Sequence, residues 1–138
     1  MNQMERTARC LCGQLRFTVV GESALTWLCH CTDCQRRTGT THQLTAWFRN
    51  EQLTGRSGEF KVFERTARQG VVQAEFCADC GTTVSWTNSK IPHAKGFAAG
   101  CFADPQLPAP QIEFFTIRRH HRLNPVEGAA QFEMHLER

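Results

Sequence analysis

Residues 29–39 read Cys29-His30-Cys31-Thr32-Asp33-Cys34-Gln35-Arg36-Arg37-Thr38-Gly39. Three thiols and an imidazole fall within six residues of this stretch. A disulfide needs two sulfurs at a defined separation and gains nothing from such crowding. A metal ion with one coordination position left open explains both the crowding and the odd sulfur. Three protein ligands and one exchangeable position mark a catalytic zinc, whereas structural zincs close with four.

Two further clusters flank it: Cys10-Leu11-Cys12-Gly13 and Cys77-Ala78-Asp79-Cys80-Gly81. A tight turn aims its amides inward and folds both sulfurs toward one point. The glycine after each turn lets the chain leave without a Cβ clash. Cys10 and Cys12 therefore pair with Cys77 and Cys80 as one four-cysteine zinc site, which clamps the N-terminal strand to the middle of the sheet and is structural. Cys29, Cys31 and Cys34 remain as a three-cysteine zinc site, whose fourth position takes water or an incoming thiolate. A competing reading stays open. All seven thiols could sit in structural sites, with Cys101 or a histidine closing the second.

The residues around the trio have their own expectations. His30, between two ligands, points away from the metal, behind it or at the surface. Arg36 and Arg37 either screen thiolate charge, bind a substrate carboxylate, or are simply solvated. Cys101 reads as a small buried residue in a strand, or else as a fourth ligand or reactive thiol facing the open zinc. Trp27, Trp47 and Trp86 read as core.

The chain has 138 residues, 41% hydrophobic and 21% charged. Those values suit one globular domain, spanning 1–138, with a core large enough to need no staples. There is no apolar run of spanning length, so no membrane partner is expected. The opening MNQMERTARC lacks the apolar region of a secretory signal. A cytoplasmic location follows, where thiols stay reduced and eight cysteines point to metal or catalysis. The formal charge of +3 counts the thiols as neutral. Seven thiolates on two zinc ions would cancel it, so the charge gives little support for a polyanionic partner.

Strands are expected where apolar residues alternate: Leu15, Phe17 and Val19, then Ala24–Cys29, His42–Asn50, Phe60–Arg65, Gly70–Phe76, Thr82–Thr87, Lys95–Phe102 and Ile112–Ile117. Glu51–Gly55 reads as a single turn closed by Gly55, and the proline-rich Asp104–Pro110 as an extended loop. No segment carries a sustained helical stripe. The fold class is mainly β, with antiparallel sheets tied by zinc knuckles. The run Arg118-Arg119-His120-His121-Arg122 reads as a solvated strand end. With no nucleic-acid motif beside it, nucleic acid is not expected as a partner. An exposed β edge could pair two copies.

The motifs Cys10–Gly13, Cys29–Gly39, Phe76–Thr82 and Gly100–Pro105 together resemble the glutathione-dependent formaldehyde-activating enzyme family. That family shares its domain with a centromere-associated protein and has an Mss4-like β fold. The resemblance runs from about Thr7 to Ile117. It implies a structural zinc held by Cys10, Cys12, Cys77 and Cys80, and a second zinc held by Cys29, Cys31 and Cys34. It also implies a carbon–sulfur lyase-type reaction, in which glutathione and formaldehyde give S-hydroxymethylglutathione. The chain departs from the family pattern at Ala103, where members often carry an acidic residue, and in RRHHRLNP, which lacks a tryptophan. The alternative function is a non-catalytic zinc module that binds a protein or an anionic partner.

Overall fold

A computed structural model describes residues 4–135. The readings of the N-terminal segment and of the span 1–138 extend at 1–3 and 136–138 outside the described residues. The elements in chain order are β1 (Glu5–Arg9), β2 (Arg16–Val20), β3 (Leu25–Cys29), α1 (Thr32–Thr38), β4 (Gln43–Arg49), β5 (Leu53–Ser57), β6 (Phe60–Ala67), β7 (Gly70–Cys77), β8 (Thr83–Asn88), β9 (Ala94–Ala98), β10 (Ile112–Phe114) and β11 (Ala130–Gln131). Short 3-10 turns lie at Asn50–Gln52, Ala99–Phe102 and Thr116–Arg118. The mainly-β expectation holds.

The strands form two sheets. The smaller has the order β1-β2-β5, the larger β11-β10-β3-β4-β9-β8-β7-β6. Pairing is antiparallel except at one end of the large sheet. There β10 runs parallel to both β3 and β11.

Alternation places the main core. Ala8, Leu15, Phe17 and Val19 from the small-sheet region pack on Ala46, Phe48, Val84 and Phe97 from the large sheet. Phe97 makes edge contacts with Phe17 at 5.5 Å and Phe48 at 5.9 Å. The second cluster holds Trp47, Ala74, Trp86 and Ala94. In β4, Ala46 and Phe48 belong to one cluster and Trp47 to the other, as a period of two requires. In β8 the rule breaks: Val84 joins the first cluster and Trp86 the second. The cause is a bulge. Glu75 pairs with Ser85 and Phe76 with Thr83, so Val84 is skipped in the ladder. The extra residue re-aims the side chains beyond it. Trp86 then lies across Gly96 of β9, where a Cβ would come within 2.4 Å of the indole nitrogen.

Several expectations need correction. β1 has too little apolar character to show as a strand, because one of its two inward residues is Arg6. Arg6 is buried by a 2.9 Å ion pair to Asp104. Glu51–Gly55 is not one turn: Leu53–Ser57 pairs with β2, and Gly55 sits inside that strand opposite Thr18. Lys95–Phe102 is strand only to Ala98 and then tightens into a 3-10 turn. Ile112–Ile117 stops at Phe114, because Phe115 turns into the left-handed region with φ 57°. The basic run 118–122 therefore begins in the last residue of a 3-10 turn, not at a strand end. No helix among the described residues is long and apolar enough to cross a membrane.

Candidate functional site

The four sulfurs of Cys10, Cys12, Cys77 and Cys80 converge within 4.8 Å of one another. Cys10 and Cys12 sulfurs are 3.6 Å apart, and those of Cys12 and Cys77 are 3.7 Å apart. A tetrahedral ion with Zn–S near 2.3 Å requires sulfurs about 3.8 Å apart. The donor set and its spacing fit that ion. Amides converge on the sulfurs as the turn argument requires. Leu15 N–H donates to Cys10 at 3.3 Å, and Asp79 and Cys80 N–H donate to Cys77 at 3.3 and 3.4 Å. Gly13 and Gly81 leave the two knuckles at φ 86° and 81°. Hydrogen bonds from the Thr82 hydroxyl and from the Cys12 and Thr82 amides hold the Cys80 thiol down at about 5. Within the group, Cys77 and Cys80 are pulled down. Against a lowering bond from the Gln14 amide, burial and bonds to the neighbouring thiols push Cys12 up to about 12.

The second group is Cys29, Cys31 and Cys34, again within 4.8 Å. Cys29 ends β3. Cys31 caps α1, and its sulfur accepts from the Cys34 amide at 3.3 Å. Cys34 lies in the first turn of that helix. The residues after Cys31 form a short helix, Thr32–Thr38, ended by Gly39 in the left-handed region. Hydrogen bonds from Cys29 and Cys34 pull the Cys31 thiol down to about 2. The same bonds, with burial and the adjacent charge, push Cys29 strongly up. Cys34 is lowered by its bond to Cys29, but the bond to Cys31, burial and the Cys31 charge prevail and push it to about 12. The three thiols share protons through these bonds, with Cys31 the one most easily ionised. A divalent cation would take the place of those protons, which is how thiolate sites couple metal uptake to proton release.

His30 is neither at the surface nor among the clustered donors. It is 2% exposed, and its Nε2 lies 2.8 Å from Glu113 Oε1. A carboxylate can only accept, so the proton sits on Nε2. Burial alone would push Glu113 up. Hydrogen bonds from Gln131, His30, the Val126 amide and Arg119 outweigh it and bring the carboxyl to about 2. Arg119, from the basic run, is half-buried against Glu113 rather than solvated. Glu113 is the residue the sequence reading missed. Its one signal is a charge at the centre of the apolar triplet Ile112-Glu113-Phe114.

Cys101 lies in the 3-10 turn, not a strand, and packs against the main core. Burial pushes its thiol up to about 11. It belongs to neither cluster. Arg37 stacks over Trp86 at 4.8 Å and donates through Nε to Gln43 at 2.7 Å. Arg36 is exposed.

A cavity of about 490 Å³ opens against the large sheet. Cys29 and Cys34 are in its wall, and none of Cys10, Cys12, Cys77 or Cys80 is. Trp27, Trp47 and Trp86 also line it, so the three tryptophans are both packed and presented to the cavity. Arg36, Arg65 and Lys90 supply positive charge, and Asp33 pairs with Arg65 at 3.2 Å.

These features define a mainly-β protein tied by cysteine knuckles, with one thiol cluster away from the cavity and a second in its wall. The chain belongs to the glutathione-dependent formaldehyde-activating enzyme family, whose sequence profile matches residues 5–118. A protein from Rhodobacter sphaeroides of known crystal structure has a similar fold. It has a TM-score of 0.52 and 20% identity, and the match covers 94% of this chain and 99% of that one. No curated protein matches the sequence.

Proposed function

We propose that the protein is a zinc-dependent enzyme of the carbon–sulfur lyase type, acting on a small anionic thiol such as glutathione and an aldehyde. The observation that carries this reading is the placement of Cys29 and Cys34 in the cavity wall, while the Cys10, Cys12, Cys77 and Cys80 group is not. In this reading the group of four holds a structural zinc and the group of three a zinc with one exchangeable position. Family membership supports glutathione and formaldehyde as the reactants. Zinc, when bound, supplies Lewis acidity: it favours the thiolate form of a thiol and polarises a carbonyl oxygen.

The chain's own residues supply the rest. Cys29, Cys31 and Cys34 hold the centre at the end of β3 and the start of α1. The Arg37 charge lies close enough to Cys34 to favour its thiolate. Its side chain is already engaged by Gln43 and Trp86, and Arg65 is paired with Asp33, so the exposed Arg36 and Lys90 are the better carboxylate partners for glutathione. Holding the two reactants together lowers the entropic cost of their encounter. The thiols expected here need a reducing compartment, and we place the protein in the cytoplasm, as one zinc-binding domain over 1–138.

Exchange NMR tests the reading. Zinc-loaded protein should speed interconversion of glutathione, formaldehyde and their adduct. Cys34→Ser should abolish that acceleration while the fold persists. If the zinc-loaded protein exchanges the adduct no faster than buffer, the alternative of a non-catalytic zinc module takes over.

A further inference from the structure

The cavity of about 490 Å³ takes the thiol as well as the aldehyde, so the size of the aldehyde is not set by volume but by the wall beside the thiol trio. The cavity's charged groups are Asp33, Arg36, Arg37, Arg65 and Lys90; Arg37 lies over one face of Trp86, Arg65 pairs with Asp33, and Arg36 and Lys90 are exposed. The wall running on from the thiol trio is aromatic. Trp27 precedes Cys29 by two residues on β3, so both face the cavity about 7 Å apart along the strand. Trp27 meets Trp47 edge-on at 5.2 Å and Phe114 at 5.1 Å. Phe63 of β6 also lines the cavity and is 61% exposed. Phe63 thus adds an accessible ring to the aromatic wall formed by the tryptophans.

We infer that the aldehyde handled here is an aromatic one, with its ring against Trp27, Trp47, Trp86 and Phe63 while the thiol's carboxylates take the cationic groups. This deepens the proposed function and rests on it. The ring must begin at the carbon that meets sulfur, and the tryptophan wall begins one strand repeat from Cys29. The step adds the thiol across the carbonyl. The C–S bond forms, the C=O π pair moves to oxygen, and the thiol proton ends on that oxygen. No oxidant or reductant is needed. Burying about 100 Å² of ring against this wall is enough for a preference of about tenfold or more.

The test compares benzaldehyde with formaldehyde, each with glutathione and zinc-loaded protein, by exchange NMR. The readout is the acceleration over each aldehyde's own uncatalysed rate. Benzaldehyde should be accelerated at least about tenfold more than formaldehyde. Phe63→Ser, at an exposed position, and Trp86→Leu should each narrow that ratio severalfold. Equal or greater acceleration of formaldehyde would overturn the inference and leave the proposed function standing. Acceleration of neither aldehyde would remove the proposed function and the inference with it. A preference for benzaldehyde that both variants leave unchanged would overturn the assignment of the ring to this wall.

Discussion

His30 Nε2 and Glu113 Oε1 lie 2.8 Å apart with both side chains almost fully buried. The pair joins the centre of the Cys29-His30-Cys31 segment to β10, and the His30 amide donates to the Phe114 carbonyl at 3.0 Å beside it. Two adjacent bonds thus fix the peptide between Cys29 and Cys31. Through Glu113, Arg119 and the β11 residue Gln131 are tied to the same point.

Glu113→Gln should loosen the three-cysteine centre and spare the four-cysteine centre. The amide keeps the shape but loses the charge that His30 and Arg119 share. Groups behind a metal's ligands commonly tune affinity by about tenfold or more. Chelator titration followed by zinc analysis should show one of two zincs released about tenfold more readily than in the wild type. Equal release of both ions would separate Glu113 from the metal centre.

The same carboxylate makes stability depend on pH. Glu113 titrates near 2 in the folded chain against an ordinary value of 4.5. A depressed value means the contribution is complete above about 4.5 and is lost as pH falls toward 2. The melting-temperature gap between wild type and Glu113→Gln should hold steady from pH 7 to 5 and shrink below that. Because Glu113→Gln also weakens the three-cysteine centre, the gap is read in a Cys34→Ser background, where that centre is gone and the carboxylate is isolated. A gap unchanged down to pH 3 would contradict the assignment.

The two thiol groups should fail differently. Cys77→Ser breaks the clamp between the N-terminal knuckle and β7, and should cost about 3 kcal/mol or more, read by denaturant unfolding. Cys34→Ser should leave a folded protein with one tightly held zinc. If both variants unfold alike, the division into a structural and an open centre is wrong.

Gly96→Ala should be disproportionately harmful for so small a change. A Cβ there would come within 2.4 Å of the Trp86 ring. Either the indole swings into the cavity or the β8–β9 ladder opens. Overpacking of this kind costs about 1–3 kcal/mol. Near-ultraviolet circular dichroism should change with the melting temperature, because Trp86 lines the cavity.

The thiol clusters were legible because ligand spacing is a local property. Two cysteines one or two residues apart, followed by glycine, specify a knuckle wherever the chain goes next. Most strands were legible for the same reason: alternation at Leu15, Phe17 and Val19 needs no tertiary knowledge. What escaped is non-local. Glu113 meets His30 only because β10 joins β3 in a parallel pair, and nothing within Ile112-Glu113-Phe114 announces that partner. Helix α1 spans seven residues, too few to display a helical stripe. The bulge at Val84 depends on a register mismatch with β7. That mismatch brings Trp86 into the second core cluster, where it also lines the cavity. Arg6 hid β1, because its burial relies on Asp104, a residue 98 positions further along the chain.

Zinc X-ray absorption with and without glutathione tests the central claim most directly, since it counts sulfurs around the metal. One closed and one open thiolate site predict about 3.5 sulfurs per zinc on average, rising to about 4 when glutathione binds. A value near 4 in the free protein, unchanged by glutathione, would mean that both ions are already closed by the chain.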